Sequence, residues 1–311
     1  MRALVYTEPG VLEILDVPEP GEGRDSVMLS VALAGIGGSE VLALRDPGAR
    51  TLPLIMGHGV VGTDPGGRRV AVNPLSGCDA CRFCREDDRQ RCPGWRMLGV
   101  HHDGGFAERV AVPRAALVPI PDDLAWEQAV FIEPFANAVR AWARSGGGPS
   151  DRVAVVGAGS LGLGCVAIAA EAGVRTLGCA EPAAARRAAA KSLGATRTGA
   201  ALNGTFDLVF DTVGSRYSRR EAIEHTAPGG RVVHLGFADA EPGFDPVAFT
   251  RAEHTLIGSF VYDRAQFLRA IPLARRADPN WVTGFGLDQA PQALESFARG
   301  DYGLVKAAVR P

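Results

Sequence analysis

The segment Val153-Ala-Val-Val-Gly157-Ala-Gly159-Ser-Leu-Gly162 is the most informative part of this 311-residue sequence. Its apolar start is suited to a buried strand, and the spacing G-x-G-x-x-G then opens an apolar helical segment, residues 161–172. The three glycines permit a tight turn, a close approach of the backbone to a pyrophosphate, and packing of the helix on the strand. Unpaired N–H groups at the helix start favour phosphate. We therefore predict a dinucleotide site with backbone contacts at Gly157, Gly159, Ser160, Leu161 and Gly162.

Strands and helices alternate around this stretch. Strands are predicted over residues 152–156, 176–180, 208–211 and 231–235, and helices over residues 129–145, 161–172, 183–193 and about 219–225. Such alternation indicates βαβ units and a parallel sheet covered on both faces. The sequence therefore predicts a doubly wound Rossmann domain over residues 123–263.

Glu181 supports this interpretation. It follows Gly162 by about 20 residues, at the end of the next predicted strand. A carboxylate at this place accepts hydrogen bonds from the ribose hydroxyls and repels a 2′-phosphate. NAD is thus predicted in preference to NADP, and the nearby Arg186 keeps NADP open.

The N-terminal part of the chain has a different pattern. Short apolar runs broken by turn residues predict strands over residues 2–6, 12–16, 26–33, 60–63, 69–73 and 105–112. A helix over residues 263–275 and a closing strand over residues 305–310 do not extend the later alternation. We therefore predict an α/β chain in which a β-rich domain, residues 1–122 plus 264–311, contains the inserted Rossmann domain.

Four cysteines lie in a polar segment, residues 77–94, with the spacing C-x2-C-x2-C-x7-C. Four thiolates without an open position are typical of structural zinc. An iron–sulfur cluster also uses four cysteines, but the ferredoxin pattern has a last gap of three residues rather than seven. The predicted ligands of one structural zinc are Cys78, Cys81, Cys84 and Cys92.

Composition limits the partners. The formal charge of −2 arises from 33 basic and 35 acidic residues. This balance does not indicate the excess of basic residues that binding to nucleic acid or an anionic membrane requires. The chain shows neither a secretory signal nor an apolar run long enough to span a bilayer. A cytoplasmic protein acting on a small molecule is predicted.

Motifs throughout the chain resemble the zinc-type medium-chain dehydrogenase/reductase superfamily, which includes alcohol, sorbitol, butanediol and threonine dehydrogenases. They include residues 34–40 (AGIGGSE), 56–59 (MGHG), 69–74 (RVAVNP), 104–108 (GGFAE), the pair Glu133-Pro134 and residues 229–232 (GGRV). The resemblance implies a GroES-like catalytic domain beside the Rossmann domain, and a homodimer or homotetramer. It also implies nicotinamide contacts in loops that end strands, which are Thr212, Val213, Gly214, Leu235, Gly236, Gly258 and Ser259.

Two departures from the family pattern concern its catalytic zinc. The motif A-G-I-C-G-S-D has its zinc ligand where this chain has Gly37, and G-H-E has an acid where it has Gly59. His58 and Glu133 survive, but two ligands are too few to hold zinc without help. Glu40, close to Gly37, is a conceivable substitute. We predict that the catalytic zinc site is degenerate, and that Gly37→Cys with Gly59→Glu would let the protein bind a second zinc.

Without this metal, a developing oxyanion needs hydrogen-bond donors. Ser39 stands in the family's proton-relay position, His58 is a candidate proton donor because the unperturbed pKa of histidine lies near neutral pH, and Glu133 completes the catalytic candidates. The prediction is an NAD(P)(H)-dependent oxidoreductase that transfers hydride between nicotinamide and a small alcohol or ketone, such as a polyol, cyclitol or sugar. The alternatives are zinc-independent reduction of a conjugated C=C bond and a non-catalytic NAD(H)-binding protein.

Overall fold

The computed structural model describes residues 1–21, 23, 25–299 and 303–311. The chain divides into two compact units, Met1–Glu133 with Asp263–Pro311, and Pro134–Tyr262. The first unit is β-rich and the second is built on a parallel sheet. This confirms the predicted α/β class with an inserted Rossmann domain.

The strands are numbered in chain order. They are β1 Arg2–Glu8, β2 Val11–Asp16, β3 Ser26–Gly35, β4 Leu54–Ile55, β5 Gly59–Thr63, β6 Arg69–Val72, β7 Leu75–Ser76, β8 Arg96–Met97, β9 Arg109–Pro113, β10 Leu117–Pro119, β11 Arg152–Val156, β12 Thr176–Ala180, β13 Arg197–Gly199, β14 Phe206–Asp211, β15 Thr226–His234, β16 Thr255–Gly258, β17 Val282–Gly286 and β18 Lys306–Arg310.

The helices are numbered in the same way. They are α1 Gly38–Ala43, α2 Arg82–Arg85, α3 Trp126–Ala129, α4 Ile132–Ser145, α5 Ser160–Glu171, α6 Ala184–Leu193, α7 Arg216–Glu224, α8 Pro246–Arg251, α9 Arg264–Ala274 and α10 Ala290–Ala298, with 3-10 turns at Arg89–Arg91, Arg114–Ala116, Pro279–Trp281 and Leu287–Gln289.

The main sheet of the first unit has the order β10-β6-β5-β3-β18-β17, and β9 also pairs with β3. The core of this unit includes the fully buried Leu29 of β3 and Tyr6 of β1, with Met56 and Phe106 from segments between strands. β3 and β5 are antiparallel, with Gly35 opposite Gly59. This pairing brings the candidate catalytic residues together, because the last residue of β3 lies beside the first residue of β5.

The sheet of the second unit has the order β13-β12-β11-β14-β15-β16 with every pair parallel. β11 and β14 are central and nearly fully buried, as expected for a sheet covered on both faces. The pairing aligns Val156, Asp211, His234 and Gly258 in one row. The loops that follow these strands therefore meet at one edge, where ligands of such sheets bind.

The boundary and one helix differ from the prediction. Residues 123–133, assigned from the sequence to the Rossmann domain, belong to the first unit. The Arg69 guanidinium lies 3.9 Å from the centre of the Trp126 ring and donates to the Leu124 carbonyl, which ties this segment to β6. The predicted helix 129–145 is divided into α3 and α4. Among the described residues, no helix has the length and apolar character needed to cross a bilayer.

Candidate active site and cofactor sites

Four residues of the first unit form what we term the acid–histidine cluster, namely Ser39, Glu40, His58 and Glu133. α1 begins three residues after the end of β3 and carries Ser39 and Glu40. His58 immediately precedes β5, opposite the end of β3. Glu133 lies in the first turn of α4, where the helix dipole favours a negative charge. The structure thus brings together the three residues predicted to be catalytic, with Glu40 between two of them.

Hydrogen bonds hold the cluster in one arrangement. Glu40 Oε1 is 2.5 Å from His58 Nδ1, and Glu40 Oε2 accepts from the Ser39 hydroxyl at 3.1 Å and from the Gly37 N–H at 3.0 Å. The other ring nitrogen, Nε2, is 3.5 Å from Glu133 Oε2. The Glu40 side chain is fully buried, whereas the His58 and Glu133 side chains remain 14% and 12% exposed. Glu40 is therefore an internal anchor, and His58 is the group that a substrate can reach.

The two charges strongly stabilise each other. Burial alone would raise the pKa of Glu40, but the charge and hydrogen bond of His58 outweigh it and lower that pKa to about 2. Burial alone would lower the pKa of His58, but Glu40 and then Glu133 raise it to about 10. His58 is therefore an imidazolium at neutral pH, with both ring nitrogens acting as donors.

These shifts fix the pH range in which the pair stabilises the fold. The raised pKa of His58 gives a contribution that is complete below its ordinary value of 6.5 and is lost as pH rises through about 10. The lowered pKa of Glu40 gives a contribution that is present above 4.5 and is lost as pH falls through about 2. The pair thus stabilises the first unit most strongly between pH 4.5 and 6.5.

The cluster does not fit a catalytic metal. A Cβ atom built on Gly37 would lie 2.9 Å from Glu40 Oε2, so the Glu40 carboxylate occupies space that a side chain at position 37 would need. At Gly59 a Cβ atom would meet nothing closer than 3.9 Å, which leaves that position empty of any ligand. Among the described residues, the side chains whose ligand atoms lie close enough together to hold a metal ion are the four cysteines and not this cluster.

The glycine loop of the second unit fits a dinucleotide. Gly157 has a φ of 91°, and a Cβ on Gly162 would lie 1.9 Å from the Gly157 carbonyl oxygen, so both positions need glycine. Gly159 is the N-cap of α5 and offers no side-chain cap, and a Cβ atom there would meet nothing within 4 Å. Ser160 and Leu161 form the first turn of α5. The helix start is thus open to an anion.

Glu181 is tied to this loop. Its two carboxylate oxygens accept from the Ala158 N–H at 2.8 Å and the Ala183 N–H at 2.9 Å, and the residue is 4% exposed. Each oxygen keeps a further lone pair for a ribose hydroxyl. Arg186, the residue that keeps NADP open, lies in the first turn of α6. Glu181 therefore also positions the loop, a role that its place in the sequence does not reveal.

The other predicted cofactor residues lie where β14, β15 and β16 end. Thr212 donates to the Val156 carbonyl at 2.8 Å, and Asp211 accepts from the N–H groups of Val213 and Gly214. A Cβ on Gly214 would lie 2.0 Å from the carbonyl carbon of Gly236, so the loops at 212–214 and 235–236 pack backbone against backbone. Leu235 is 4% exposed and the Ser259 hydroxyl, next to Gly258, is buried without a partner among the described residues.

The four cysteines of residues 77–94, which we term the cysteine lobe, fit a tetrahedral zinc ion. Their Sγ atoms all lie within 4.8 Å of one another, with Cys78–Cys84 at 4.0 Å and Cys81–Cys84 at 3.6 Å. Zn–S bonds of about 2.3 Å require sulfur spacings of this size. Backbone N–H groups of Ala80 and Cys81 lower the pKa of Cys78 to about 6, which favours the thiolate. Cys165 and Cys179 are buried elsewhere, in α5 and β12.

Cys81→Ser is expected to remove zinc from the protein, because a serine hydroxyl is a poor ligand where zinc prefers thiolate. Metal analysis should fall from about one zinc per chain to near zero, with a lower unfolding midpoint, because the charged lobe has little apolar core of its own. Cys165→Ala is the matched control and should keep the metal. A Cys81→Ser protein that still holds one zinc would contradict the assignment.

Comparisons with known proteins agree with this architecture. The model of the alcohol dehydrogenase GroES-like domain matches residues 23–122, and that of the zinc-binding dehydrogenases matches residues 160–276. L-threonine 3-dehydrogenase of Streptomyces coelicolor is 32% identical, over 97% of this chain and 94% of that protein. L-galactonate-5-dehydrogenase of Escherichia coli K12 is 29% identical, over 83% of each. The crystal structure of a zinc-binding dehydrogenase of Sinorhizobium meliloti 1021 bound to NADP superposes with a TM-score of 0.90 at 27% identity, covering 100% of this chain and 99% of that one.

The chain therefore belongs to the zinc-type medium-chain dehydrogenase/reductase superfamily. Within it, the chain is an NAD(P)-dependent oxidoreductase that acts on a small molecule, with a cysteine lobe suited to structural zinc.

Proposed function

We propose that this oxidoreductase interconverts a secondary alcohol and a ketone in a small polyol, cyclitol or sugar-like substrate, without a metal at the reacting carbon. The observation that carries the proposal is the Glu40–His58 contact of 2.5 Å, which holds a cationic histidine at a position where the family has a zinc ligand. The L-galactonate-5-dehydrogenase relative supports the substrate class. NAD is proposed in preference to NADP because of Glu181, and assembly as a homodimer or homotetramer in the cytoplasm belongs to the same proposal.

The geometry assigns each residue a task. Glu40 fixes the ring of His58 through Nδ1, so Nε2–H is the donor available to a substrate oxygen. The contact of Nε2 with Glu133 is long, at 3.5 Å, which lets a substrate oxygen compete for that proton. Nicotinamide, when bound, supplies or accepts the hydride. As negative charge develops on the carbonyl oxygen, His58 stabilises it and donates the Nε2 proton, assisted by the Ser39 hydroxyl.

The charge of His58 sets the favoured direction. Because its pKa is raised to about 10, the protonated donor needed for ketone reduction dominates at neutral pH. Alcohol oxidation needs neutral imidazole to accept the hydroxyl proton, so its rate should increase as pH rises toward 10. Over the same range the rate of ketone reduction should fall.

Glu40→Gln is expected to move the alkaline inflection of ketone reduction from near pH 10 to a lower value. The substitution removes the larger of the two charges that raise the pKa of His58 and leaves only that of Glu133. Above the new inflection His58 loses the proton that it must donate, and loss of a positioned proton donor costs about 10²- to 10⁴-fold in rate. The kcat for ketone reduction at pH 8 should therefore fall, by at most that range. The measurement is the pH profile of kcat.

Glu40→Gln also lowers the stability of the fold, so a control variant is needed. Breaking a buried ion pair costs about 3–5 kcal/mol, so Glu40→Gln is compared with Glu40→Gln/His58→Gln, which removes both charges of the pair. The double variant should fold and show no alkaline inflection. An unchanged inflection in a folded Glu40→Gln protein would show that His58 is not the proton donor.

A substrate panel tests the reaction itself. Hexitols, cyclitols and sugar acids are offered with NAD or NADP, and the corresponding ketones and a set of enones with NADH or NADPH. Turnover of the alcohols and ketones, faster with the unphosphorylated cofactor, is the expected result. Turnover confined to enones would replace carbonyl reduction by C=C reduction.

A further inference from the structure

A second cation, Arg50, lies beside the acid–histidine cluster. It belongs to the loop between α1 and β4 and is half-buried. Its Nη2 donates to the Ser39 carbonyl at 3.4 Å and its Nη1 to the Pro47 carbonyl at 3.5 Å, which are long contacts. Its Nε is buried without a hydrogen-bond partner. Within residues 1–21, 23, 25–299 and 303–311, no carboxylate forms an ion pair with this guanidinium.

A half-buried guanidinium without an ion pair is stabilised by binding an anion. Arginine cannot lose its proton to relieve burial, and a buried charge is costly unless it is paired. Within the cluster, Glu40 already forms its ion pair with His58 at 2.5 Å. The charge of Arg50 nevertheless follows that of His58 among those that lower the pKa of Glu40, which places the guanidinium close to the cluster.

The position of Arg50 suits a substrate group. Its Nη2 touches the main chain of Ser39, the same residue whose hydroxyl contacts Glu40. A small molecule with a hydroxyl at Ser39 and His58 therefore needs few further carbons to reach the guanidinium. The planar fork of arginine matches the oxygens of a carboxylate or phosphate and can bind them in a bidentate way.

We propose that Arg50 binds an anionic group of the substrate, so that the enzyme acts on an anionic polyol, a hydroxy acid or a polyol phosphate, rather than on a neutral one. This inference rests on the proposed alcohol–ketone activity. It assigns Arg50 the role of a specificity-determining residue that holds the anion, while hydride transfer takes place at the other end of the substrate.

The test compares three congeners with the same stereochemistry, namely a neutral hexitol, its phosphate monoester and the matching hexonate. The variants are Arg50→Gln and Arg50→Lys, and the matched control is Arg45→Gln, an exposed neighbour that donates to the Ala298 carbonyl. The wild type should prefer one anion over the hexitol in kcat/KM, and the preferred anion identifies its group. Arg50→Gln should lower kcat/KM for that anion by about 10- to 100-fold and lower it much less for the hexitol, with Arg50→Lys intermediate and Arg45→Gln like the wild type.

Two results would overturn the inference. One is a wild type that uses the hexitol as well as the anions, and the other is an Arg50→Gln protein that loses activity equally on all three. If no congener is turned over, the proposed activity fails for this panel, and calorimetric titration of the cofactor-loaded protein with the hexonate and the hexitol phosphate then decides. Binding that disappears in Arg50→Gln but not in Arg45→Gln supports the anion site, whereas absence of binding to the wild type refutes it.

Discussion

Gly159→Asp is expected to abolish nucleotide binding while leaving the fold intact. The new side chain meets no steric obstacle, because a Cβ on Gly159 has no neighbour within 4 Å and the residue has an ordinary φ of −66°. Aspartate is also a favourable N-cap, worth about 1 kcal/mol of helix stability, at a helix start that has no side-chain cap. The added carboxylate, however, stands where we place the pyrophosphate.

The expected effect on binding is large. Like charges brought together cost several kcal/mol, which corresponds to at least about 100-fold in affinity. NADH fluorescence titration should show this loss, while the thermal unfolding midpoint should stay the same or rise. Gly159→Asn is the matched control, because it has the size and capping ability of aspartate without the charge, and it should weaken binding less. Equal NADH affinity in the wild type and Gly159→Asp would place the pyrophosphate elsewhere.

Much of the fold could be predicted because its strands carry strong local signals. β11 and β12 have the predicted ends, since each is a compact apolar run bounded by turn residues. β13, α8 and β16 were missed because they are short and largely exposed, so neither composition nor periodicity marks them. The boundary before Pro134 depends on the packing of Trp126 on Arg69, a contact between distant parts of the sequence.

The sequence predicted which residues belong to the candidate site but not how they contact one another. Motif positions identified Ser39, His58 and Glu133, and the spacing of four cysteines identified the zinc lobe. The sequence also shows glutamate at position 40, where the family motif has aspartate, but not what the extra methylene does. In the structure it lets the carboxylate contact His58 and fill the space beside Gly37. Arg50 belongs to no motif, and only its contacts in the structure indicate the role that we propose for it.

This arrangement changes what is needed to restore a metal site. Gly37→Cys with Gly59→Glu, suggested by the sequence, is expected to fail on its own, because the new Cβ at position 37 would lie 2.9 Å from Glu40 Oε2. Adding Glu40→Asp withdraws the carboxylate by one methylene and restores the family's A-G-I-C-G-S-D motif. The triple variant then offers a thiolate, His58, and the carboxylates at positions 59 and 133, a donor set suited to zinc.

Zinc content should rise from about one ion per chain in the wild type and the double variant to about two in the triple variant. His58 must lose a proton to bind the ion, so occupancy of the second site should increase with pH. Adding His58→Gln to the triple variant should bring the content back to about one, which separates a site at His58 from adventitious binding by the new thiol. A folded triple variant that never exceeds one zinc would mean that more than the Glu40 carboxylate keeps the metal out, whereas two zinc ions in the double variant would mean that Glu40 is no obstacle.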